Sequence, residues 1–271
     1  ILVYQDGYFE KDKDLFDAIK SATFENLILR ESLKQEIESD FKQFFNSRET
    51  YERYGIPWRR GALFTGPPGN GKTPTVKGLI NSLEQPCLYV RNFSGDGTEQ
   101  GNMAEVFKRA RQGPTVVVLE DLDSMINEAN RAFFLNELDG FRVNSGVVVL
   151  ATTNPPEKLD TAILDRPSRF DRKYVFDLPA EPERLAYIEK WNGELQSELR
   201  ISEKATAAVV KQTEGFSFAY LKELFVSSMV QWMSGSGQTS MDEVILAQTT
   251  SLRGQIKPTD EKAKKGKKKK K

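Results

Sequence analysis

Short apolar runs alternate with helix-patterned stretches through the middle of the chain. Leu63–Thr65, Cys87–Val90, Val116–Leu119, Val147–Thr152 and Tyr174–Leu178 are nearly continuous in hydrophobicity. Strands buried on both faces read this way. Between the first two runs, Thr75 to Leu83 carries a helical pattern. The alternation predicts an α/β fold, a parallel sheet with helices on both faces. After Pro179 the strand-like runs stop. Helical stretches at about Pro182–Leu199, Ser202–Gln212, Ser217–Met233 and Met241–Ser251 predict a small all-α domain, with a loop at Gly235-Ser236-Gly237. Ahead of the first run, Leu33, Ile37, Phe41, Phe44 and Phe45 stand at helical spacing, and Tyr54 to Arg60 reads as a loop. The expected organisation is a leader and linker over 1–60 packed on an α/β domain over 61–179. A helical domain over 180–252 and a flexible tail over 253–271 follow.

The loop that leaves the first run carries chemistry. It reads Gly66-Pro67-Pro68-Gly69-Asn70-Gly71-Lys72-Thr73 and fits G-x-x-x-x-G-K-[ST] at every fixed position. The strand before it and the helix after it are the context that this pattern needs. Glycines let the backbone bend so that successive N–H groups point at a polyphosphate. A helix N-terminus adds partial positive charge. Lys72 is placed to reach the β- and γ-phosphates, and the Thr73 hydroxyl to ligate Mg²⁺. The segment Pro67, Pro68, Gly69, Asn70, Gly71, Lys72, Thr73 and Pro74 is therefore the predicted nucleotide cradle, with ATP and Mg²⁺ as its ligands.

Two further strand ends carry polar groups. Thr115–Asp123 reads TVVVLEDLD, an apolar strand ending in Glu120 and Asp121. Carboxylates at the C-terminal end of a parallel strand lie where ligands bind in open α/β sheets. Val147–Asn154 reads VVVLATTN, and an amide at a neighbouring strand tip can orient a water for in-line attack. Asn154-Pro155-Pro156 also favours a turn, and both roles can hold together. Arg166 and Arg169 follow, three apart, beside a proline.

Composition narrows the chemistry. The 271 residues are 38% hydrophobic and 29% charged, with one cysteine and no histidine. That excludes internal disulfides, histidine-based general bases and His-containing zinc sites. Cys87, beside a buried strand, reads as a small core residue. No apolar run is long enough to span a bilayer. The net charge of zero conceals an asymmetry. Residues 261–271 hold eight lysines and one glutamate, a net +7, so the remaining 260 carry −7. The mildly acidic body argues against a nucleic-acid groove; the basic tail reads as a solubilising segment, with contact to nucleic acid or anionic lipid as the alternative.

Taken together, GPPGNGKT, VVVLEDLD, ATTN, LDTAILDRPSRFDR and GFSFAYL resemble the AAA ATPase family, over roughly Phe24 to Trp232. ERYGIPWRRG and the order Glu-then-Asp look most like the mitochondrial cytochrome-bc complex assembly ATPases and their relatives. The resemblance implies a P-loop NTPase sheet followed by a helical lid. It implies that Lys72 and Thr73 bind phosphates and Mg²⁺, with Glu120 at the metal position and Asp121 as base. Asn154 becomes the water-orienting sensor, Arg166 and Arg169 the arginine fingers acting on a neighbour's nucleotide, and Gly55 and Ile56 the backbone holding adenine. It further implies a homo-oligomeric, hexamer-like ring remodelling a protein substrate inside the cell, with mitochondrial and cytoplasmic compartments both open.

Three residues or segments depart from the family pattern. Pro74 lacks the amide that commonly meets the α-phosphate. Asp121 is one methylene shorter than the usual Glu. SGDGTEQGNM, where threading members carry a pore aromatic, has none. Two other functions compete with remodelling. One is a loader-class NTPase serving nucleic acid, and the other is a nucleotide-gated assembly protein with little hydrolysis.

Overall fold

A computed structural model describes residues 1–140, 146–154, 163, 169–235 and 239–255. It divides into two compact units, Ile1–Asp177 and Leu178–Lys271. Arg166, the Pro155-Pro156 turn, Ser236-Gly237 and the tail beyond 255 lie outside the described residues.

The first unit is a seven-stranded sheet. Its strands are β1 (Leu2–Gln5), β2 (Tyr8–Glu10), β3 (Arg59–Thr65), β4 (Cys87–Val90), β5 (Thr115–Leu119), β6 (Val147–Thr153) and β7 (Arg172–Val175). Their order is β2-β1-β4-β5-β6-β3-β7, and only the β1–β2 pair is antiparallel. The five expected strands are present, with shifted ends. The two extra strands lie in the expected leader. Asp6 and Gly7 between them both adopt positive φ, 54° and 93°, as a two-residue hairpin turn demands. β1 then pairs in parallel with β4, so residues 1–60 belong to the sheet unit rather than preceding it.

Helices cover both faces. On one face α1 (Lys13–Lys20), α2 (Glu31–Asn46) and α4 (Lys72–Leu83) bury Ile19, Ile37, Phe41, Val76 and Leu79 against Phe64, Val116, Val118 and Val148. The short α3 (Arg48–Arg53) leads from α2 into the loop before β3. On the other face α5 (Glu99–Ala110) and α7 (Arg131–Asp139) bury Met103, Phe107 and Phe134 against Leu63, Val117, Leu119 and Val149. A four-residue turn, α6 (Leu122–Met125), follows β5. Alternate residues of each strand thus serve opposite cores, which explains the continuous apolar runs.

The second unit is helical among its described residues: α8 (Glu181–Glu194), α9 (Glu203–Gln212), α10 (Phe218–Ser234) and α11 (Met241–Gln255). Ser202 and Ser217 cap α9 and α10 by accepting from Ala205 N and Tyr220 N. The helix expected over Pro182–Leu199 ends early, at Glu194. The Asn192 amide donates to Ile201 O at 2.9 Å and accepts from Ile201 N at 2.8 Å, turning the chain through a short 3₁₀ segment. Ile188, Val209, Phe216, Leu224, Phe225 and Ile245 form its core.

Candidate functional site

Sheet order assembles the site. β6 lies between β3 and β5, so its C-terminal tip stands between the glycine-rich loop after β3 and the acidic end of β5. Gly66, Gly69 and Gly71 adopt φ of 137°, 78° and 94°. A Cβ on Gly66 would stand 2.2 Å from Phe176 O, so only glycine fits there. The Lys72 ammonium is buried. It donates to Gly66 O at 2.6 Å and Pro67 O at 2.9 Å, folding back over its own loop. Burial lowers its pKa from the ordinary lysine value, and the charges of Asp121 and Asp123 oppose that shift. Those carboxylates are therefore electrostatic neighbours of the loop. Asn70 is 1% exposed, and both amide atoms lack a hydrogen-bond partner. Pro74 sits in the first turn of α4. The ladder begins with Thr75 N donating to Gly71 O at 3.0 Å, so the proline interrupts no helix bond.

The period of two in β5 gives the carboxylates different surroundings. Glu120 continues the series Val116, Val118, which faces α4. Its Oε2 accepts from the Tyr89 hydroxyl, while its Oε1 is buried without a partner. Asp121 adopts left-handed φ, 52°, a conformation that Asp tolerates better than most residues. Its N–H donates to Thr152 Oγ1 at 2.9 Å, and its Oδ1 accepts from Asn154 Nδ2 at 3.0 Å. Asp123 Oδ1 accepts from Thr153 Oγ1 at 3.0 Å and Asn154 N at 3.2 Å. The β6 tip is thereby bound to the acidic turn through both aspartates.

Among the described residues no cluster of three or more His, Cys, Asp or Glu side chains could cage a metal. That suits Mg²⁺, which keeps several waters and takes one or two protein groups plus phosphates. The unpaired Glu120 Oε1 and the Thr73 hydroxyl at the head of α4 fit such a shared site. A cleft of ≈ 600 Å³ opens at Glu120 and Asp121, lined also by Lys77, Tyr89 and Arg91.

One expectation needs correction. Gly55 and Ile56 precede β3, at the opposite end of that strand from the loop. Seven residues of strand, about 20 Å, separate them from it. Ile56 lines a different cavity with Arg59, Val147 and Arg169. The apolar group beside the loop is instead Leu29, 3.4 Å from a Cβ built on Gly71, while Leu27 packs against α4 itself, 3.6 Å from a Cβ built on Gly78. No motif marks them, because proximity arises only when the chain before α2 folds along α4. Arg169 is also engaged. Its guanidinium is buried and pairs with Asp139 through Nη2–Oδ2 at 2.9 Å and Nε–Oδ1 at 3.3 Å. That bidentate pair anchors Arg169 in its own fold. Tyr89 and Asp123 join the expected residues here through their bonds to Glu120, Thr153 and Asn154. A tyrosine within a buried strand is itself a signal, since its hydroxyl needs a partner.

Residues 62–178 match the family model described as ATPase family associated with various cellular activities (AAA). An ATP-dependent zinc metalloprotease FtsH from Marinobacter nauticus is 31% identical over 224 residues, 75% of this chain and 34% of that protein. Another FtsH, from Acidothermus cellulolyticus, is 34% identical over 217 residues, covering 72% and 31%. An ATPase family protein 2 homolog from Caenorhabditis elegans is 31% identical over 230 residues, covering 74% and 31%. The chain spans about a third of the length of these relatives.

Proposed function

The chain belongs to the AAA ATPase family, and on that premise we propose that it binds and hydrolyses ATP with Mg²⁺ to remodel or assemble a protein substrate. The observation that carries the reading is the Asn154–Asp121 hydrogen bond at strand tips whose charge is felt by Lys72. It joins a water-handling pair to a phosphate cradle. In this reading Lys72 releases the two loop carbonyls and binds the β- and γ-phosphates. Asp121 accepts the proton of the attacking water, and Asn154 holds the carboxylate and that water in line. Thr73 and Glu120 would hold Mg²⁺, which supplies charge neutralisation between the phosphates. Leu29 gives an apolar surface beside the loop on which a base can rest. Arg166 of a neighbouring copy is the proposed finger, and Arg169, held by Asp139, positions the segment that carries it.

A finger acting in trans requires a ring of identical subunits, hexamer-like in this family. The acidic body favours a protein over nucleic acid as the substrate. No helix among the described residues is long and apolar enough to cross a membrane. The 271 residues contain no histidine, so no His-containing zinc site lies within them. Pro74 favours one second reading, a nucleotide-gated assembly protein with slow turnover. Steady-state ATP turnover, with Mg²⁺ or EDTA and across protein concentration, tests these readings. Turnover that needs Mg²⁺ and rises per subunit with concentration is expected. No turnover with retained ATP binding selects the gated reading, and no nucleotide binding overturns both.

A further inference from the structure

The proposed metal ligand Glu120 poses a specific problem. Its side chain is one methylene longer than that of an aspartate, so its carboxylate has an extra rotatable bond. A ligand with that freedom loses more entropy on fixing a metal. The structure supplies a restraint from the neighbouring strand. β4 and β5 are paired with Tyr89 opposite Val118. Tyr89 therefore points to the same face as Val118 and Glu120, towards α4. Its ring is 5% exposed, packed in the core of that face, and its hydroxyl donates to Glu120 Oε2. The other oxygen, Oε1, stays buried and unpaired.

We propose that Tyr89 is a positioning residue for the metal site: it pins Glu120 through one carboxylate oxygen and presents the other to Mg²⁺. The inference rests on the ATPase reading above and deepens it. Holding one oxygen makes Glu120 a one-oxygen ligand of fixed direction, which suits the rigid octahedron of Mg²⁺. Outer partners of this kind typically change metal affinity 10–100-fold when removed. The ring fills a packed core whichever way the hydroxyl is used, so the hydroxyl alone is the variable to test.

The experiment is a titration of the full chain with a fluorescent ADP analogue, in EDTA and then at rising Mg²⁺. In Tyr89→Phe the Mg²⁺ concentration giving half of the metal-dependent gain in affinity should rise about tenfold or more. Affinity in EDTA should stay with the parent's, because the ring is kept and only the hydroxyl, bonded to Glu120, is removed. Glu120→Asp gives a second reference, since its shortened carboxylate withdraws from the hydroxyl. Adding Tyr89→Phe to Glu120→Asp should then shift the Mg²⁺ dependence little, a non-additivity that a merely structural tyrosine would not produce. An unshifted Mg²⁺ midpoint in Tyr89→Phe, an equal loss in EDTA, or full additivity with Glu120→Asp overturns the positioning role alone. A parent chain that binds no nucleotide overturns the ATPase reading and this inference with it.

Discussion

The two ends of the central sheet handle their polar groups in opposite ways. At the C-terminal end, Asn70, Glu120 and Asn154 each keep buried polar atoms without a partner, and Lys72 bonds only to its own loop. At the N-terminal end the charges close on one another. Asp40 of α2 accepts from Arg60, from Arg172 Nη2 at 3.1 Å and from the Tyr174 hydroxyl at 3.0 Å. Asp171 accepts from Gly61 N at 2.8 Å and lies 3.3 Å from Arg60 Nε. Asp139 holds Arg169 by two bonds. A buried polar atom without a partner costs stability, so a fold keeps such atoms where a ligand completes them. On the proposed function, the contrast separates residues that would act on a ligand from those that hold the fold, with Arg60 Nε, ion-paired to Asp171 but without a hydrogen bond, as the exception at the N-terminal end.

The contrast breaks if a loop residue proves structural. Lys72→Ala should weaken nucleotide binding on the order of 10²-fold or more, because the phosphates lose a buried charge partner. It should not lower the melting temperature of the nucleotide-free chain. The depressed Lys72 pKa means that folding opposes the charged form, and this penalty is present at neutral pH and fades as pH rises towards the unfolded lysine value. Removing the ammonium therefore removes a cost. Equilibrium binding with paired melting curves checks both halves. A nucleotide-free chain that melts far lower would place Lys72 among the structural residues.

The two carboxylates sharpen the contrast within the site. Asp121→Asn should keep ATP binding but reduce turnover by about 10²–10⁴-fold, since an amide cannot accept the water's proton. Glu120→Gln should mainly raise the Mg²⁺ requirement. Single-turnover assays over a Mg²⁺ series separate them. If Glu120→Gln binds tightly and fails to turn over at saturating Mg²⁺, the roles are exchanged.

At the opposite end, Asp40→Ala should leave nucleotide affinity intact and cost ~3 kcal/mol of stability. The loss comes from Arg60, whose side chain is only 15% exposed, and from Tyr174; the more exposed Arg172 adds little. Burial, then the Asp40 charge, pushes the Tyr174 hydroxyl above its ordinary pKa, so it remains a donor at working pH. For a unit of this size the melting temperature should fall about 6–12 °C. A loss of nucleotide affinity without a drop in melting temperature would dissolve the distinction between the two ends.

The same distinction decides what was legible in the sequence. GPPGNGKT, LEDLD and ATTN are local strings at strand ends, and a strand end is readable from the apolar run before it. The β1–β2 hairpin had a local signal as well, Asp6-Gly7 between apolar residues, but the run on each side is only three or four residues long. Leu27 and Leu29 carry no signal, because their place beside α4 and the loop before it depends on the path of α1 and α2 across α4. Gly55 and Ile56 are near the loop in sequence and far from it in space. Tyr89 meets Glu120 only through strand register, 31 residues apart. Arg169 reads as a surface arginine until the fold brings Asp139 to it. Contacts between distant segments are what single-sequence patterns leave out.

The smallest expected effect is at Pro74, on the boundary between ligand contact and fold. The structure places it in the first turn of α4, where the missing N–H breaks no helix bond. Its whole effect on binding must then come from the phosphate side. Pro74→Ala restores one amide to the end of the cradle, and a net hydrogen bond to a charged acceptor is worth roughly 1.5–3 kcal/mol. A water already serving the α-phosphate would return part of that gain. The alanine also adds unfolded-state entropy, which lowers stability by ~0.4–1 kcal/mol. Pro74→Ala should therefore bind ADP several-fold more tightly while melting one or a few degrees lower without nucleotide, about the shift this size of unit gives. Titration with ADP at fixed Mg²⁺ and a melting curve in EDTA measure the two parts separately. Equal or weaker ADP affinity in the alanine variant would show that no phosphate contact is missing at Pro74. The support that Pro74 lends to the slow, nucleotide-gated reading would then fall away.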